Sequence, residues 1–340
     1  MTDSSPKRLR QADIAAACGV SISTVSRVLS NEQGISEAIR NSILKVANEM
    51  GYRVRSPHEA SNGVLALIAS DSATGGLSVF YEGIAEGLRA ASDERGIGFD
   101  MRLIRQSTMR TEQIEDYLTQ TGAVGLALVG IDPTEDLREG LMQRGIMTAL
   151  VNGIDPLMHF DSISPSNFYG AYAATQRLIA AGHRRILHLT GSHRHTIRER
   201  IRGFKTAIAE SDGCEGRVIT LPFKAVTSEE AHEATIAALA GKEGFTAAFC
   251  MNDFIAVGVL DAVLEAGLSI PHDFSVVGFD DLPCAQMTDP RLATMRVDRA
   301  ALGKEAINLL TTRLRDRSIP CRQILHAVTP IAGGTLSENG

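Results

Sequence analysis

The sequence lacks the features of an exported, disulfide-linked or metal-binding protein. Its five cysteines are an odd number, lie far apart and form no Cys-x-x-Cys pair, so they indicate neither a disulfide framework nor a zinc site. The polar, basic N-terminus has no apolar run of the kind that a signal peptide needs. We therefore expect a cytoplasmic protein with no membrane segment, no metal and no cofactor.

The motifs of common enzyme classes are also missing. The chain has no Gly-Lys-Ser/Thr phosphate loop, no Gly-x-Ser-x-Gly elbow and no His-Glu-x-x-His pair, and Gly75 and Gly76 lack the rest of a dinucleotide fingerprint. His193 and His195 have the spacing of a metal-binding pair, but no third ligand follows at a suitable spacing. We expect this basic loop to be solvated or to contact an anionic ligand, and we expect the protein not to be an enzyme.

Charge is unevenly distributed along the 340 residues. Residues 1–56 contain eight Lys and Arg against five Asp and Glu, a net charge of +3, whereas the remaining chain contains 26 against 35, a net charge of −9. With 44% hydrophobic residues, a chain of this length can bury a large core and form more than one domain. A basic head on an acidic body is compatible with nucleic-acid binding, because local phosphate contacts matter more than total charge.

Near the N-terminus, two short helical patterns meet at Gly19, which is typical of a helix-turn-helix. Ser21 stands where the second helix needs an N-cap oxygen. At about 100° per residue, Val25, Val28 and Leu29 share one side of that helix, which we expect to be buried. The opposite side would contact the major groove of DNA and consists of Ile22, Ser23, Ser26, Arg27 and Ser30.

The rest of the chain predicts a small helical head followed by a large α/β body. A third helical pattern completes a head at residues 1–56, residues 57–63 form a shortened polar linker, and apolar runs alternate with helical segments over residues 64–340. This alternation predicts parallel sheets covered by helices. The predicted strands are Val64–Ala69, Val124–Val129, Met147–Val151, Arg185–Leu189, Ala247–Met251 and Ser275–Phe279.

The length of the body predicts two α/β lobes with a cleft between them. The chain is expected to cross between lobes at residues 161–167, where Ser and Pro separate two series of strands. The predicted first lobe spans about 64–164 and 292–322, and the predicted second lobe spans about 165–291 and 323–340.

Several separated motifs resemble those of the LacI/GalR family of bacterial transcription regulators. The head carries the family pattern Val-Ser-x-x-Thr-Val-Ser-Arg-Val-Leu at residues 20–29, and Gly-Tyr-Arg closes it. The body continues the resemblance in order with Gly-His, Arg-Ile-Arg-Gly-Phe, Asn-Asp and Ser-Val-Val-Gly-Phe-Asp-Asp, which begin at residues 182, 200, 252 and 275. The resemblance covers essentially the whole chain and implies a three-helix head on a body like that of a periplasmic sugar-binding protein.

The resemblance also implies a function. It predicts a transcriptional regulator, expected to be a repressor, that binds a pseudo-palindromic double-stranded operator as a homodimer. A small-molecule effector bound between the lobes, a sugar or sugar derivative, would change operator affinity by preferring one arrangement of the lobes. Ser166 replaces an Asp that is common in the family, which leaves an anionic effector open.

By the resemblance, the DNA contacts are Ser21, Ile22, Ser23, Thr24, Ser26 and Arg27. Ile22 and Ser23 would read base edges, and Arg27 would reach bases or phosphates. The hydroxyl groups suit phosphate contacts, which position the helix without specifying sequence. Two alternatives stay open, because Ile22 could pack at the rim of the head core and Thr24 could brace the helix.

The candidate effector contacts lie at the carboxyl ends of predicted strands or match effector-binding positions of the family. They are Asp71, Phe80, Tyr81, Arg194, Thr196, Arg200, Phe223, Asn252 and Asp280. Asp280 and Arg200 would form directional hydrogen bonds with an effector, or else an interlobe or helix-capping ion pair. The aromatic residues suit the apolar face of a sugar ring, or else belong to the core.

The linker departs from the family pattern. Relatives follow Gly-Tyr-Arg with Pro-Asn-Ala and an Ala-Arg-x-Leu stretch that inserts leucines into the minor groove, whereas residues 54–63 here contain no leucine. Because an apolar wedge is what kinks a base step open, we expect less bending of the operator centre or an unusual half-site spacing. The alternative function is a solute-binding or sensor protein with weakened DNA binding.

Overall fold

A computed structural model of the chain describes residues 11–29, 35–50, 63–70, 77–191, 194–222 and 227–337. Residues 57–62 of the predicted linker, Asp71, His193 and Phe223 lie outside these residues, so the expectations for them stay predictions. Gly63, predicted as the last residue of the linker, already begins the first strand of the body. In the described part, no helix combines the length and the apolar character needed to cross a bilayer.

Three helices form the head: α1 (Gln11–Cys18), α2 (Ile22–Leu29) and α3 (Glu37–Glu49). Gly19 lies between α1 and α2 with φ 64°, in the left-handed region that glycine adopts without steric cost. The head has its own apolar core, in which Ile14, Val25, Val28 and Ile43 are at most 2% exposed. The predicted three-helix head with a helix-turn-helix is therefore confirmed.

The body alternates strands and helices. Its strands are β1 (Gly63–Ala69), β2 (Phe99–Ile104), β3 (Ala123–Val129), β4 (Met147–Val151), β5 (Asp161–Pro165), β6 (Arg185–Thr190), β7 (Glu215–Thr220), β8 (Ala247–Cys250), β9 (Ser275–Val277), β10 (Thr294–Arg296), β11 (Gln323–His326) and β12 (Thr329–Ile331). Its helices are α4 (Leu77–Arg95), α5 (Thr111–Thr121), α6 (Glu135–Gln143), α7 (Asn167–Ala180), α8 (His195–Ala209), α9 (Ser228–Leu239), α10 (Asp253–Glu265), α11 (Pro283–Met287) and α12 (Arg299–Arg315), with a 3-10 turn at Gln106–Thr108.

Two parallel sheets define the two lobes. The first has the strand order β11-β5-β4-β3-β1-β2 and the second has the order β7-β6-β8-β9, and neighbouring strands run parallel in both. Strand β1 is buried along its whole length, as expected for a strand covered by helices on both faces. The predicted α/β body with parallel sheets is confirmed.

The C-terminal segment does not follow the predicted lobe boundary. Strand β11 pairs in parallel with β5, so residues 323–326 extend the first sheet rather than the second lobe. The physical reason is that β5 offers a free edge, which the backbone of β11 fills. The chain returns to the second lobe with β12, which pairs with β10, since the Asp280 amide donates to the Met295 carbonyl of β10 at 2.8 Å. Farther on, the Val276 amide donates to the carbonyl of Thr335 at 2.8 Å.

Two helices of the second lobe, α7 and α8, pack closely against each other next to the cleft. Helices α7 and α8 approach each other at Gly203, where a Cβ atom would lie 2.1 Å from the carbonyl oxygen of Phe168. Only a glycine allows this approach. The contact holds α8, whose first turn reaches the cleft, against α7.

Candidate functional site

The second helix of the head presents three residues of the predicted DNA-contacting face to solvent: Ile22, Ser23 and Arg27. Ser21 caps α2, because the Thr24 amide donates to its Oγ at 3.0 Å. Ile22 is 54% exposed, and Ser23 and Arg27 are also exposed, whereas Ser26 lies in the middle of the helix. The Thr24 Oγ1 lies 2.8 Å from the Ser21 Oγ, which agrees with the alternative that Thr24 braces the helix start.

Arg200, on α8, holds together the wall of the cleft that belongs to the second lobe. Its Nε donates to Asn167 Oδ1 at 2.8 Å, its Nη2 donates to Asp280 Oδ1 at 3.3 Å, and its Nη1 donates to the main-chain oxygen of Met251. The guanidinium also lies over the ring of Phe279, 3.7 Å from the centroid. The side chain is buried, and these partners belong to its own lobe. An effector contact by Arg200 stays a prediction, and the ion pair with Asp280 lies within the second lobe rather than between the lobes.

Two buried carboxyl groups accompany Arg200. Asp280 follows β9 with φ 103°, and burial raises its pKa while Arg200 opposes the rise. Burial and the nearby charge of Asp280 raise the pKa of Asp253 well above its ordinary value. Asp253 accepts hydrogen bonds from the Thr294 hydroxyl and the Leu282 amide, both at 2.6 Å. Arg200 therefore compensates Asp280, with a smaller contribution from the charge of Arg299.

His188 lies on β6 directly beneath this wall. Its ring stacks on Phe249 with centroids 4.7 Å apart, and its Nδ1 lies 2.9 Å from the Phe249 carbonyl oxygen. Burial lowers the pKa of His188 to about 4, with the positive charge of Arg200 acting in the same direction and the Phe249 hydrogen bond opposing it. The imidazole is therefore neutral near pH 7.

The remaining predicted residues of the second lobe are buried near the cleft. Asn252 is 4% exposed and caps α10, because its Oδ1 accepts from the Ile255 amide at 2.9 Å. Thr196 is 3% exposed in the first turn of α8. The structure thus gives Asn252 a helix-capping role, and its contact with an effector stays a prediction.

The first lobe contributes two aromatic residues from the start of α4. Phe80 and Tyr81 are 2% and 4% exposed and form an edge-to-face pair with centroids 5.4 Å apart. Phe80 belongs to the apolar core, as its alternative interpretation predicts. Tyr81 belongs to the same core, and its hydroxyl also accepts a hydrogen bond from Arg194 Nη1 at 3.0 Å.

Arg194 crosses the cleft from the second lobe to the first. Besides Tyr81, it contacts Asp132, with Nε 3.2 Å from Oδ2, and its Nη2 donates to the Asn152 carbonyl oxygen at 2.5 Å. Burial alone would lower the pKa of Arg194, but the interactions with Tyr81 and Asp132 outweigh it and raise the pKa. The guanidinium is therefore charged and bound to three groups of the opposite lobe.

Sequence reasoning missed Asp132, Asn152 and Asn167. Asn152 directly follows β4 and Asp132 lies three residues beyond the end of β3, so the rule that placed candidates at the carboxyl ends of parallel strands would have found them. Asn152 is 6% exposed, and its Oδ1 has no hydrogen-bond partner within the described residues. This oxygen is an acceptor that a ligand hydroxyl would satisfy.

The described residues contain no group of three or more His, Cys, Asp or Glu side chains arranged to hold a metal ion. His195 begins α8, and desolvation lowers its pKa. The described cleft thus offers hydrogen-bonding groups and compensated charges, which suit reversible binding of a polar molecule.

Comparison with known proteins assigns both parts of the chain. The sequence profile of bacterial regulatory proteins of the lacI family matches residues 12–54, and that of the periplasmic binding protein-like domain matches residues 175–336. The HTH-type transcriptional regulator reg1 of Streptomyces lividans is 31% identical, over 97% of this chain and 98% of that protein. The HTH-type transcriptional repressor PurR of Vibrio vulnificus is 28% identical, over 90% of this chain and 92% of that protein.

Solved structures show the same architecture. The transcriptional regulator CelR in complex with cellobiose superposes with a TM-score of 0.71 at 25% identity, covering 96% of this chain and 100% of that one. The lac repressor dimer bound to operator and the anti-inducer ONPF has a TM-score of 0.71 at 21% identity, covering 97% and 99%, and shows the shared fold. The chain therefore belongs to the lacI family of bacterial regulatory proteins, which are DNA-binding transcriptional regulators with a ligand-binding, periplasmic binding protein-like body rather than enzymes.

Proposed function

We propose that this protein is a repressor that binds a pseudo-palindromic operator as a homodimer and that a small polar effector, a sugar or sugar derivative, controls its operator affinity. The observation that carries the proposal is the combination of an exposed, capped α2 in the head with a cleft in which polar side chains of both lobes meet. The repressor role is also supported by the likeness to PurR.

The effector class follows from the charges in the cleft. Arg194 is paired with Asp132 at 3.2 Å and Arg200 with Asp280 at 3.3 Å, so an anionic effector would have to displace a carboxylate of the protein. The buried Asn152 Oδ1 and the Tyr81 hydroxyl suit the hydroxyl groups of a neutral sugar. The likeness to a CelR structure that holds cellobiose supports the same class.

The homodimer is supported by an exposed apolar strand. Strand β2 is the edge of the first sheet, and Leu103 and Met101 on it are 64% and 37% exposed. An exposed edge strand with apolar side chains is normally covered by a partner. A second copy of the chain is the partner that a pseudo-palindromic operator requires.

The proposal is tested by a thermal-shift screen of neutral sugars, sugar acids and sugar phosphates, followed by gel shifts on the upstream intergenic DNA with and without the hit. We expect a neutral sugar to raise the unfolding midpoint and to change operator affinity. The Arg27→Ala variant should weaken the gel shift, whereas Arg217→Ala, at an exposed ion pair of the second lobe, should not. Binding of a ligand without any specific gel shift would favour a sensor with weakened DNA binding and contradict the proposal.

A further inference from the structure

Arg194 makes a direct contact between the lobes. It lies just before α8 in the second lobe, yet its guanidinium is bound by Tyr81 on α4, by Asp132 after β3 and by Asn152 after β4. Nη2 also lies 3.4 Å from Asp132 Oδ1, so both carboxylate oxygens face the guanidinium. All three acceptors belong to the first lobe.

The acceptors differ in chemistry, which makes the contact specific for arginine. They are a carboxylate, a phenol oxygen and a main-chain carbonyl, and a planar guanidinium with five N–H donors can serve all three at once. A lysine ammonium at this position would present one point charge and could not reproduce the two-point contact with Asp132.

The surroundings of Arg194 make this ion pair stronger than one at the surface. The Arg194 and Asp132 side chains are 18% and 27% exposed, compared with 50% and 48% for the pair Arg217 and Glu243 within the second lobe. Partial burial reduces screening by water and salt, and the Tyr81 side chain, whose hydroxyl accepts from Arg194 Nη1, is only 4% exposed.

We propose that Arg194 is a latch between the lobes, which keeps the cleft closed before any effector binds. The latch thereby sets the fraction of molecules whose cleft is open to an effector. An effector then acts on an equilibrium that this latch has already shifted toward closure. The inference goes beyond the proposed function, because it concerns the effector-free protein and holds whatever the effector and operator are. An effector that requires an open cleft has its apparent affinity reduced by the closed fraction.

The latch is tested in the full-length protein without DNA or effector. Donor and acceptor dyes are attached through non-coded amino acids at Glu139 on α6 and Glu233 on α9, both exposed, and the distance between the lobes is followed by single-molecule energy transfer. The wild type should show one dominant population at high transfer efficiency. In Arg194→Met, a population at lower efficiency should grow roughly tenfold, because several hydrogen bonds to a charged group are lost.

Three further measurements separate a latch from a general loss of structure. Arg217→Met removes a comparable arginine from the surface of the second lobe and should leave the distribution unchanged. Tyr81→Phe removes one acceptor and should open the cleft less than Arg194→Met. Raising NaCl from about 0.1 M to about 1 M should open the wild type but change Arg194→Met little, because screening weakens only the intact ion pair.

Identical transfer distributions in wild type and Arg194→Met would overturn the latch, and so would a wild type that is open at low salt. Either result would leave the proposed repressor function untouched, since a gel shift and a ligand screen test that function separately.

Discussion

Replacing Arg200 with methionine should destabilise the second lobe strongly. The substitution keeps the length and apolar stem of the side chain but removes the partner of Asp280, whose side chain is 4% exposed. It also removes the hydrogen bonds to Asn167 Oδ1 and to the Met251 carbonyl. Breaking a buried ion pair by deleting one partner costs about 3–5 kcal/mol, because the other charge is left buried and uncompensated.

The loss of stability caused by Arg200→Met should depend on pH. Burial raises the pKa of Asp280, and loss of Arg200 removes the larger of the two positive charges that oppose this rise, leaving that of Arg299. A carboxyl group with a folded-state pKa above its unfolded value favours the folded state at low pH and loses that contribution as pH rises through the folded pKa. The defect of Arg200→Met should therefore be larger at about pH 8 than at about pH 5.

Thermal unfolding of the full-length protein at both pH values measures the effect. For 150–250 residues, 1 kcal/mol corresponds to about 2–4 °C, so the midpoint at the higher pH should fall by roughly 6–20 °C. Adding Asp280→Asn should recover part of this loss, because a neutral amide needs no counter-charge. Arg217→Met, at an exposed pair, should shift the midpoint by no more than a few degrees. The reasoning fails if Arg200→Met unfolds like the wild type or if Asp280→Asn makes it worse at high pH.

Two further substitutions test the interior of the second lobe. The pKa of His188 is lowered from 6.5 to about 4, so its neutral ring stabilises the fold above pH 6.5 and this contribution is lost as pH falls toward 4. His188→Leu should therefore reduce the loss of unfolding free energy between pH 6.5 and 4 by about 3 kcal/mol. This effect is measured as a smaller difference between the urea midpoints at the two pH values. An unchanged difference would show that His188 is not the acid-sensitive group. Gly203→Ala places a Cβ atom 2.1 Å from the Phe168 carbonyl oxygen and should lower stability by about 1–3 kcal/mol in urea unfolding. Gly98→Ala, with its nearest neighbour at 3.6 Å, is the control, and equal midpoints for the two variants would contradict the packing argument.

The strands that could be predicted are those buried on both faces. Strands β1, β3, β4, β6, β8 and β9 are continuous apolar runs in the sequence, which is how a central parallel strand appears. Strands β2 and β7 were missed because they carry exposed polar residues, unlike β9, which is also an edge strand but is buried throughout. Strand β5 was missed because three of its five buried residues are polar, with Asp161 accepting from Arg313 Nε at 2.6 Å. A local pattern cannot reveal a partner that lies 152 residues away.

The sequence by itself determined the class of this protein. Helical periodicity, the Ser21 cap and a row of motifs in a fixed order are local properties, so they identify a helix-turn-helix head on an α/β effector-binding body without any coordinates. Asp280 could be named because it ends a predicted strand, and Arg194 and Arg200 could be named because they match effector-binding positions of the family.

Only the tertiary structure decided which charges meet. Arg194 belongs to a basic loop that suggested an anionic ligand, yet it binds Asp132, which lies 62 residues earlier and in the other lobe. Arg200 and Asp280 lie 80 residues apart and share one buried wall. Such pairs depend on where the ends of separate strands come together, and that geometry arises only when two sheets and their connecting helices pack. The same packing turned a candidate effector contact into a link between the lobes.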